Sequence, residues 1–239
     1  MSPLKIIAMI PARIGSTRLK MKNLALIDDK PMIAHAIEAA KASNVFDRII
    51  LNSDNIIFEK IALEYGCEFY QRNESLGSSE TKSDDVVLDF IQNFRGDIVV
   101  WVNPIAPLQP SEEIKQVTEY FIQNNFNSLI TVKNELVHCI YSQQPVNFSL
   151  DGKFAQTQEL VPVQSFVYSL MMWTIVTFKK AMAKNGFAIM HGKIGYFPVS
   201  KWSSFIVKTE EDLFLADYIA REKKRFKKVK YHKLVSNIN

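Results

Sequence analysis

Apolar positions along the chain follow two alternating patterns, short continuous runs and longer stretches with helical spacing. "LKIIAMI" (4–10) is almost wholly apolar and stops at Pro11, as a strand buried on both faces would. "PMIAHAIEAAKAS" (31–43) repeats apolar residues at helical spacing and opens on a proline suited to a first helical position. The alternation continues with strands predicted over 47–53, 67–71, 97–103 and 127–132, and helices over 54–66, 83–94 and 111–124. Asp54 is the expected cap of the second helix and Gly66 its stop. Such repetition predicts an α/β fold, with a mostly parallel, Rossmann-like sheet flanked by helices.

The pattern breaks after Lys133, where "ELVHCIYSQQPVNFSLDGKFAQ" holds short strand-like pieces, a proline and an "LDG" turn. A small antiparallel insertion is expected there. Strands are then predicted over 168–176, 194–199 and 204–207, and helices over 178–186 and 209–225, the last opened by a Thr209/Asp212 capping box. No internal repeat or low-complexity linker interrupts the chain. Residues 1–239 are therefore read as a single domain with an insertion at 133–168 and a basic tail at 225–239.

Composition adds little beyond excluding the unusual classes. Hydrophobic residues make up 47% of the 239 and charged residues 23%, which suits a globular chain and argues against disorder. Cys67 and Cys139 form no C-x-x-C pair, so neither a disulfide framework nor a zinc site is expected, and a reducing, cytoplasmic setting fits. The run Ile6 to Ile10 is too short for a signal-peptide core, and "FVYSLMMWTIVTF" is too short to span a bilayer, so no membrane insertion is expected.

Charge is unevenly placed. From Arg221 onward eight Lys or Arg face one Glu, a net of +7 within a whole-chain charge of +4, which leaves −3 for residues 1–220. Such a tail could touch RNA or an anionic membrane, or be a solvated helix end whose cations suit the C-terminal dipole. The second reading is adopted, and no nucleic-acid partner is expected.

The candidate chemistry lies in "AMIPARIGSTRLKMKNL" (8–24), where residues 13 to 22 carry Arg13, Arg18, Lys20 and Lys22 without an acid. In open α/β sheets ligands bind beyond the carboxyl ends of the strands, and the loop after the first strand is the usual phosphate site. Several cations and backbone N–H groups there could clamp a triphosphate and neutralise charge that builds during phosphate transfer. On composition alone a solvated surface loop is the alternative. Neither G-x-x-x-x-G-K-[ST] nor G-x-G-x-x-G is present, which disfavours a P-loop nucleotidase or a dinucleotide dehydrogenase. The histidines, His35, His138, His191 and His232, show no metal spacing.

"IPARIGSTRLKMKNL", followed by "KPMIAHAIEAA", "DRIILNSD", "GCEFYQR" and "DVVLDFI", resembles the cytidylyltransferases that activate sugar acids, the CMP-sialic acid and CMP-KDO synthetase family. The resemblance covers nearly the whole chain. It implies that the anomeric hydroxyl of a 2-keto-3-deoxy sugar acid attacks the α-phosphate of CTP and expels pyrophosphate. By resemblance Ala12, Arg13, Ser16, Lys22 and Asn23 match the nucleotide and triphosphate contacts, Arg72 a base-proximal arginine and Ser83 a base-contacting serine. An ordinary surface arginine is the other reading of Arg72. The insertion at 133–168 corresponds to one that crosses between subunits, which implies a homodimer.

Three segments depart from the family pattern. Its Mg²⁺-binding Asp-x-Asp precedes Thr-x-x-Asp-Leu, but here "FIVKTEEDL" puts Ile206 and Lys208 at those positions. The family's Gln-Pro-Thr-Ser-Pro-Leu-Arg, or Gln-Gly-Asp-Glu-Pro-Leu, appears as "NPIAPLQ" (103–109), where Asn103 is expected to keep a polar contact to the nucleotide, while Ile105 and Gln109 lose a hydroxyl or carboxylate and a cation. "FVYSLMM" (166–172) puts Val167 where an arginine grips the sugar carboxylate. Two functional expectations follow. One is an active, divergent enzyme with Arg13, Lys22 and Lys208 as catalytic cations and Mg²⁺ held mainly by CTP, with Asp54 or Asp212 assisting. The other is a catalytically degenerate nucleotide-binding relative acting as a regulatory or scaffold subunit.

Overall fold

Continuous apolar runs become the middle of a sheet covered on both sides. The computed structural model describes residues 3–15, 18–223 and 231. Its elements are β1 (Ile6–Ala12), β2 (Leu26–Ile27), β3 (Lys30–Pro31), α1 (Met32–Ser43), β4 (Arg48–Ser53), α2 (Ile57–Tyr65), β5 (Glu68–Gln71), α3 (Ser83–Asn93) and β6 (Ile98–Val102). They continue through α4 (Ser111–Gln123), β7 (Ser128–Glu135), β8 (Ile140–Tyr141), β9 (Gln144–Pro145), β10 (Val163–Thr174), α5 (Ile175–Asn185), β11 (Ile194–Pro198) and α6 (Glu210–Lys223). Seven strands form the main sheet in the order β11-β7-β10-β6-β1-β4-β5, with β10 antiparallel to both neighbours and the other pairings parallel.

β1 shows why the run does not alternate in polarity. Ile6, Ala8, Ile10 and Ala12 face α1, α2 and α4 through Ile33, Ile37, Phe58, Ala62, Ile114 and Phe121. Ile7 and Met9 face α3 and α5 through Val87, Phe90, Ile91 and Phe178. Both faces of the strand are dry, so both need apolar side chains, as in other helix-covered parallel sheets. β1 runs two residues past the predicted end, through Pro11 to Ala12. Pairing to β6 ends at Met9, so Pro11 lies where β1 has only β4 beside it, and its missing N–H breaks no ladder on the β6 side.

Several boundaries differ from the sequence reading. Pro31 caps α1 from an extended conformation instead of opening it, because it also pairs with Leu26 across a tight hairpin. Asp28 and Asp29, both at positive φ, form that hairpin's turn. α2 begins at Ile57, and Asn55, not Asp54, receives its first free N–H, from Ile57 at 3.0 Å. The predicted strand at 204–207 is absent. Ser204 closes a turn and 205–207 join no ladder: Phe205 and Val207 pack with Leu19, Ile27, Met32 and Ala216, and Ile206 packs against the cluster around β1. The predicted strand 168–176 starts earlier, at Val163, and ends at Thr174, where α5 takes over.

The insertion is an antiparallel arm that carries a small hairpin of its own. β7 and β10 continue past the core as a ribbon pairing Glu135 with Val163, and β8 and β9 cap it. Asn147 ties the arm together, accepting from the Cys139 backbone and donating to the carbonyls of Val137 and Val161. Within the core, β10 advances five residues, Phe166 to Met171, while β7 advances two, Val132 to Ile130. The extra residues form a bulge with Tyr168 at φ 60°. The 225–239 tail, Tyr231 apart, lies outside the described residues. No helix among them is long and apolar enough to cross a membrane.

Candidate active site

The chain leaves β5 on one side of β1 and returns through α3 to β6 on the other, so the strand order reverses beside β1. A crevice outside the carboxyl ends of the strands is the ligand site that this topology provides. A cavity of about 280 Å³ opens there, lined by Ala12 and Arg13 after β1, Lys22 and Asn23 from the opening loop, Arg72 after β5, Ser83 at the start of α3, and Asn103 after β6. The structure thus gathers seven of the eight nucleotide-binding residues predicted from sequence around one cavity. The eighth, Ser16, lies outside the described residues, as does Thr17.

Lys22 and Asn23 reach the cavity through local backbone geometry. Met21 takes a left-handed conformation (φ 48°), and Lys22–Leu24 follow as one 3₁₀ turn. A non-glycine residue at positive φ is uncommon and is held by its surroundings. Asn23 is buried and donates to the Arg13 carbonyl at 3.4 Å, while its Oδ1 has no partner. Arg13 reaches across the cavity to the Ser78 carbonyl at 3.1 Å.

Arg72 is not a surface arginine, being only 4% exposed. One terminal nitrogen donates to the Asn52 carbonyl at 2.6 Å and to the Asn52 side chain at 3.2 Å; the other donates to the Ala12 carbonyl at 2.8 Å. The ends of β1, β4 and β5 are therefore joined through one guanidinium. Burial lowers its pKa and the Asp54 charge opposes that shift. Asp54 lies 4.0 Å away and accepts from the Ile14 backbone and the Ser53 hydroxyl. A Cβ at Gly77 would collide with the Asp54 carboxylate, so glycine is needed for the loop to cover it. Asp54 thus holds the opening loop where sequence reading expected a helix cap.

Four cations gather at this end of the sheet. Burial first, then the charges of Arg18, Arg13 and Lys208, pushes the Lys22 pKa below its ordinary value. Lys208 does not line the cavity, but the neighbouring Val207 N–H donates to the Ile105 carbonyl at 2.8 Å, and Ile105 does line it. Asp212 accepts from the backbone N–H groups of Lys208 and Thr209 at 2.8 and 2.9 Å, and Thr209 Oγ1 accepts from the Asp212 N–H. This is the capping box expected from sequence. The cavity wall carries no Asp or Glu among the described residues. Among the described residues no three His, Cys, Asp or Glu form a group able to hold a metal ion.

A second cavity, of about 460 Å³, adjoins the first and shares Ser83, Trp101, Asn103 and Ile105 with it. Lys82, Asp84, Tyr168, Met171 and Ile189 complete its wall. Asn103 fixes the partition between the two cavities. Its side chain donates to the Tyr168 carbonyl at 3.1 Å and its backbone to the Ser169 carbonyl at 3.0 Å, both made available by the β10 bulge. Two other departures from the family pattern lie away from the cavities: Val167 is buried in the core, and Gln109 is buried beside Ser169 at 3.5 Å.

Sequence reading missed Ser78, Ser79 and Thr81, which present hydroxyls along the first cavity, and Trp101 on its floor. The hydroxyl-rich run "GSSETKS" between two elements was the available signal. Trp101 carried none, because one aromatic residue in an apolar strand reads as core.

The family model described as Cytidylyltransferase matches residues 7–168. A Campylobacter coli protein named post-translational flagellin modification protein B is 30% identical over 92% of this chain and 96% of its own length. A Campylobacter jejuni pseudaminic acid cytidylyltransferase is 36% identical over 51% of this chain and 55% of its own length. The solved structure of a CMP:2-keto-3-deoxy-manno-octonic acid synthetase complexed with CTP superposes with a TM-score of 0.69 over 92% of this chain and 99% of that one, at 16% identity, which is a likeness of fold. A chain whose strand order, crevice and basic loop converge in this way, and whose sequence matches that family model over most of its sheet, belongs to the cytidylyltransferase family, as a nucleotidyltransferase of its CMP-sugar-acid branch.

Proposed function

We propose that this protein transfers CMP from CTP to a 2-keto-3-deoxy sugar acid and releases pyrophosphate. The observation that carries the reading is the acid-free cavity at the strand-order reversal, with Arg13 and Lys22 on its wall. In the reaction the acceptor hydroxyl oxygen bonds to the α-phosphorus, the bond to the bridging oxygen of pyrophosphate breaks, and the hydroxyl proton passes to solvent. Charge builds on the leaving pyrophosphate, so cations fixed beside it lower the barrier.

Arg13 and Lys22 take the triphosphate in this scheme. Asn23 Oδ1 and Arg72 Nε, both buried and unpartnered, face the nucleotide with Ser83, Asn103 and the Ala12–Arg13 backbone. The adjoining cavity receives the acceptor, with Lys82 on its rim. Any Mg²⁺ that arrives with CTP would be held by the phosphate oxygens, because the described residues do not fit a protein metal site. The names of the Campylobacter relatives, a flagellin modification protein and a pseudaminic acid cytidylyltransferase, favour a sugar acid used in modifying a protein such as flagellin; a sialic-acid-like or KDO-like acceptor bound for a surface glycan such as lipopolysaccharide or capsule belongs to the same proposal. The two thiols, Cys67 and Cys139, are unpaired, which suits the reducing cytoplasm.

The test is pyrophosphate release from purified protein supplied with CTP and a panel of 2-keto-3-deoxy sugar acids. Release that requires one acceptor, and falls at least about a hundredfold in Arg13→Ala, is expected. Silence with every acceptor, together with retained CTP binding, would defeat the catalytic reading.

A homodimer is part of the proposal. The arm leaves Ile140, Tyr141, Leu150, Phe154 and Val161 each more than two-thirds exposed, an apolar surface that a second copy would cover. Ile140→Asp combined with Phe154→Asp is expected to convert a dimer to monomer in light scattering while leaving the far-UV circular dichroism unchanged. A wild-type monomer at micromolar concentration would remove the idea.

A further inference from the structure

We infer that this protein binds the triphosphate of its nucleotide without a divalent cation, Lys208 supplying beside the phosphates the positive charge that a protein-held metal would otherwise contribute. The inference rests on the nucleotide reading above. Three observations carry it.

The first is placement. The segment 205–208, which joins no sheet, lies in the seam between the opening loop and the turn after β6. Val207 is fully buried in a cluster with Leu19, and its N–H donates to the carbonyl of Ile105 on the cavity wall. Val207 therefore anchors Lys208 between the loop that carries Arg18 and Lys22 and the wall of the crevice. Lys208 itself is exposed.

The second is the engagement of the nearby carboxylates. Asp54 is 7% exposed, sits beneath Gly77, and is held by Arg72, Ile14 and Ser53. Asp212 is held in its capping box by two backbone N–H groups. A hard divalent cation takes six or more oxygen ligands and favours carboxylates. Recruiting Asp54 would detach the opening loop, and recruiting Asp212 would uncap α6.

The third is an excess of positive charge at Lys22. Arg13, Arg18 and Lys208 each act on Lys22, no acid lies on the cavity wall among the described residues, and the desolvated Lys22 is held below its ordinary pKa by burial and by those three charges. Such a cluster is relieved by a polyanion, whereas a metal ion would add to the repulsion. The same charge that opposes a cation attracts a triphosphate directly.

The experiment is calorimetric CTP binding in EDTA and in Mg²⁺, for wild type, Lys208→Ala, Lys208→Arg and Lys208→Asp. Wild type is expected to bind in EDTA within about threefold of its affinity in Mg²⁺. Lys208→Ala should weaken binding in EDTA about tenfold, the size of one charge-assisted contact, and Lys208→Arg should keep it. Lys208→Asp should weaken it further in EDTA and regain a large part in Mg²⁺. Melting temperatures separate binding from folding, since the Lys208 backbone N–H that serves the capping box survives in every variant. Wild-type binding that appears only with Mg²⁺, or Lys208→Ala with wild-type affinity in EDTA, would overturn the inference. No binding in either buffer would instead overturn the nucleotide reading, and this inference with it.

Discussion

Lys22→Met is expected to raise the melting temperature of the unliganded protein by about 2–4 °C while weakening CTP binding about ten- to hundredfold. The two effects have one origin. Burial and the charges of Arg18, Arg13 and Lys208 make the ammonium of Lys22 unfavourable in the empty protein, which is why its pKa lies below the ordinary lysine value. Methionine keeps the length of the side chain and removes the charge. About 1 kcal/mol of relieved repulsion corresponds to that rise in a chain of this size. The bound triphosphate reverses the balance, because the desolvated ammonium then has a partner whose charge it fully feels.

The pH dependence follows with a definite sign. Between the lowered folded pKa of Lys22 and its unfolded value near 10.5, the unfolded chain binds more protons than the folded one, so stability rises with pH across that window. The advantage of Lys22→Met should be full below the window and shrink as pH rises through it. CTP affinity should move the other way, falling as Lys22 loses its proton. Thermal melts and titrations on the alkaline side would show both trends. A variant less stable than wild type at neutral pH would mean that the lysine stem, not its charge, decides the local packing.

This site could be partly read in advance because its parts lie next to strand ends. The runs that became β1 and β6 are legible because a strand dry on both faces must be apolar throughout, and the loop that follows such a strand in an α/β sheet is a ligand loop. Asp54 and 204–207 were misread for the opposite reason: their roles are set by residues far along the chain. An Asp before an amphipathic stretch looks like a helix cap whether or not Arg72 and Gly77 are waiting for it. "SFIV" has strand-like residues, but Val207 is buried by Leu19 and Ala216 instead of by a neighbouring strand. Placing β10 antiparallel between β6 and β7 is likewise a matter of sheet order, which local pattern does not encode. The bulge that hands the Tyr168 carbonyl to Asn103 depends on that order.

Arg72→Met should destabilise the protein by about 3–5 kcal/mol, the cost of breaking a buried ionic network on one side only, which lowers the melting temperature by roughly 10 °C or more. The guanidinium is 4% exposed and satisfies the carbonyls of Ala12 and Asn52 as well as the Asn52 side chain. Without it those oxygens stay buried, and the Asp54 carboxylate, 7% exposed, loses its nearest cation. Arg72→Lys should recover little, because a single ammonium cannot span two strand ends as a planar fork does. Removing the stranded charge as well distinguishes the causes: Arg72→Met with Asp54→Asn should cost less than the sum of the two single changes. A melting temperature for Arg72→Met within about 2 °C of wild type would show that the joined strand ends hold without it. CTP affinity should fall together with stability here, since Ala12, Arg13 and Asn23 shift when the ends of β1 and β4 part. In Lys22→Met the two move apart. That contrast separates a residue that builds the cavity from one whose charge awaits its ligand, and both readouts come from the same pair of titrations and melts.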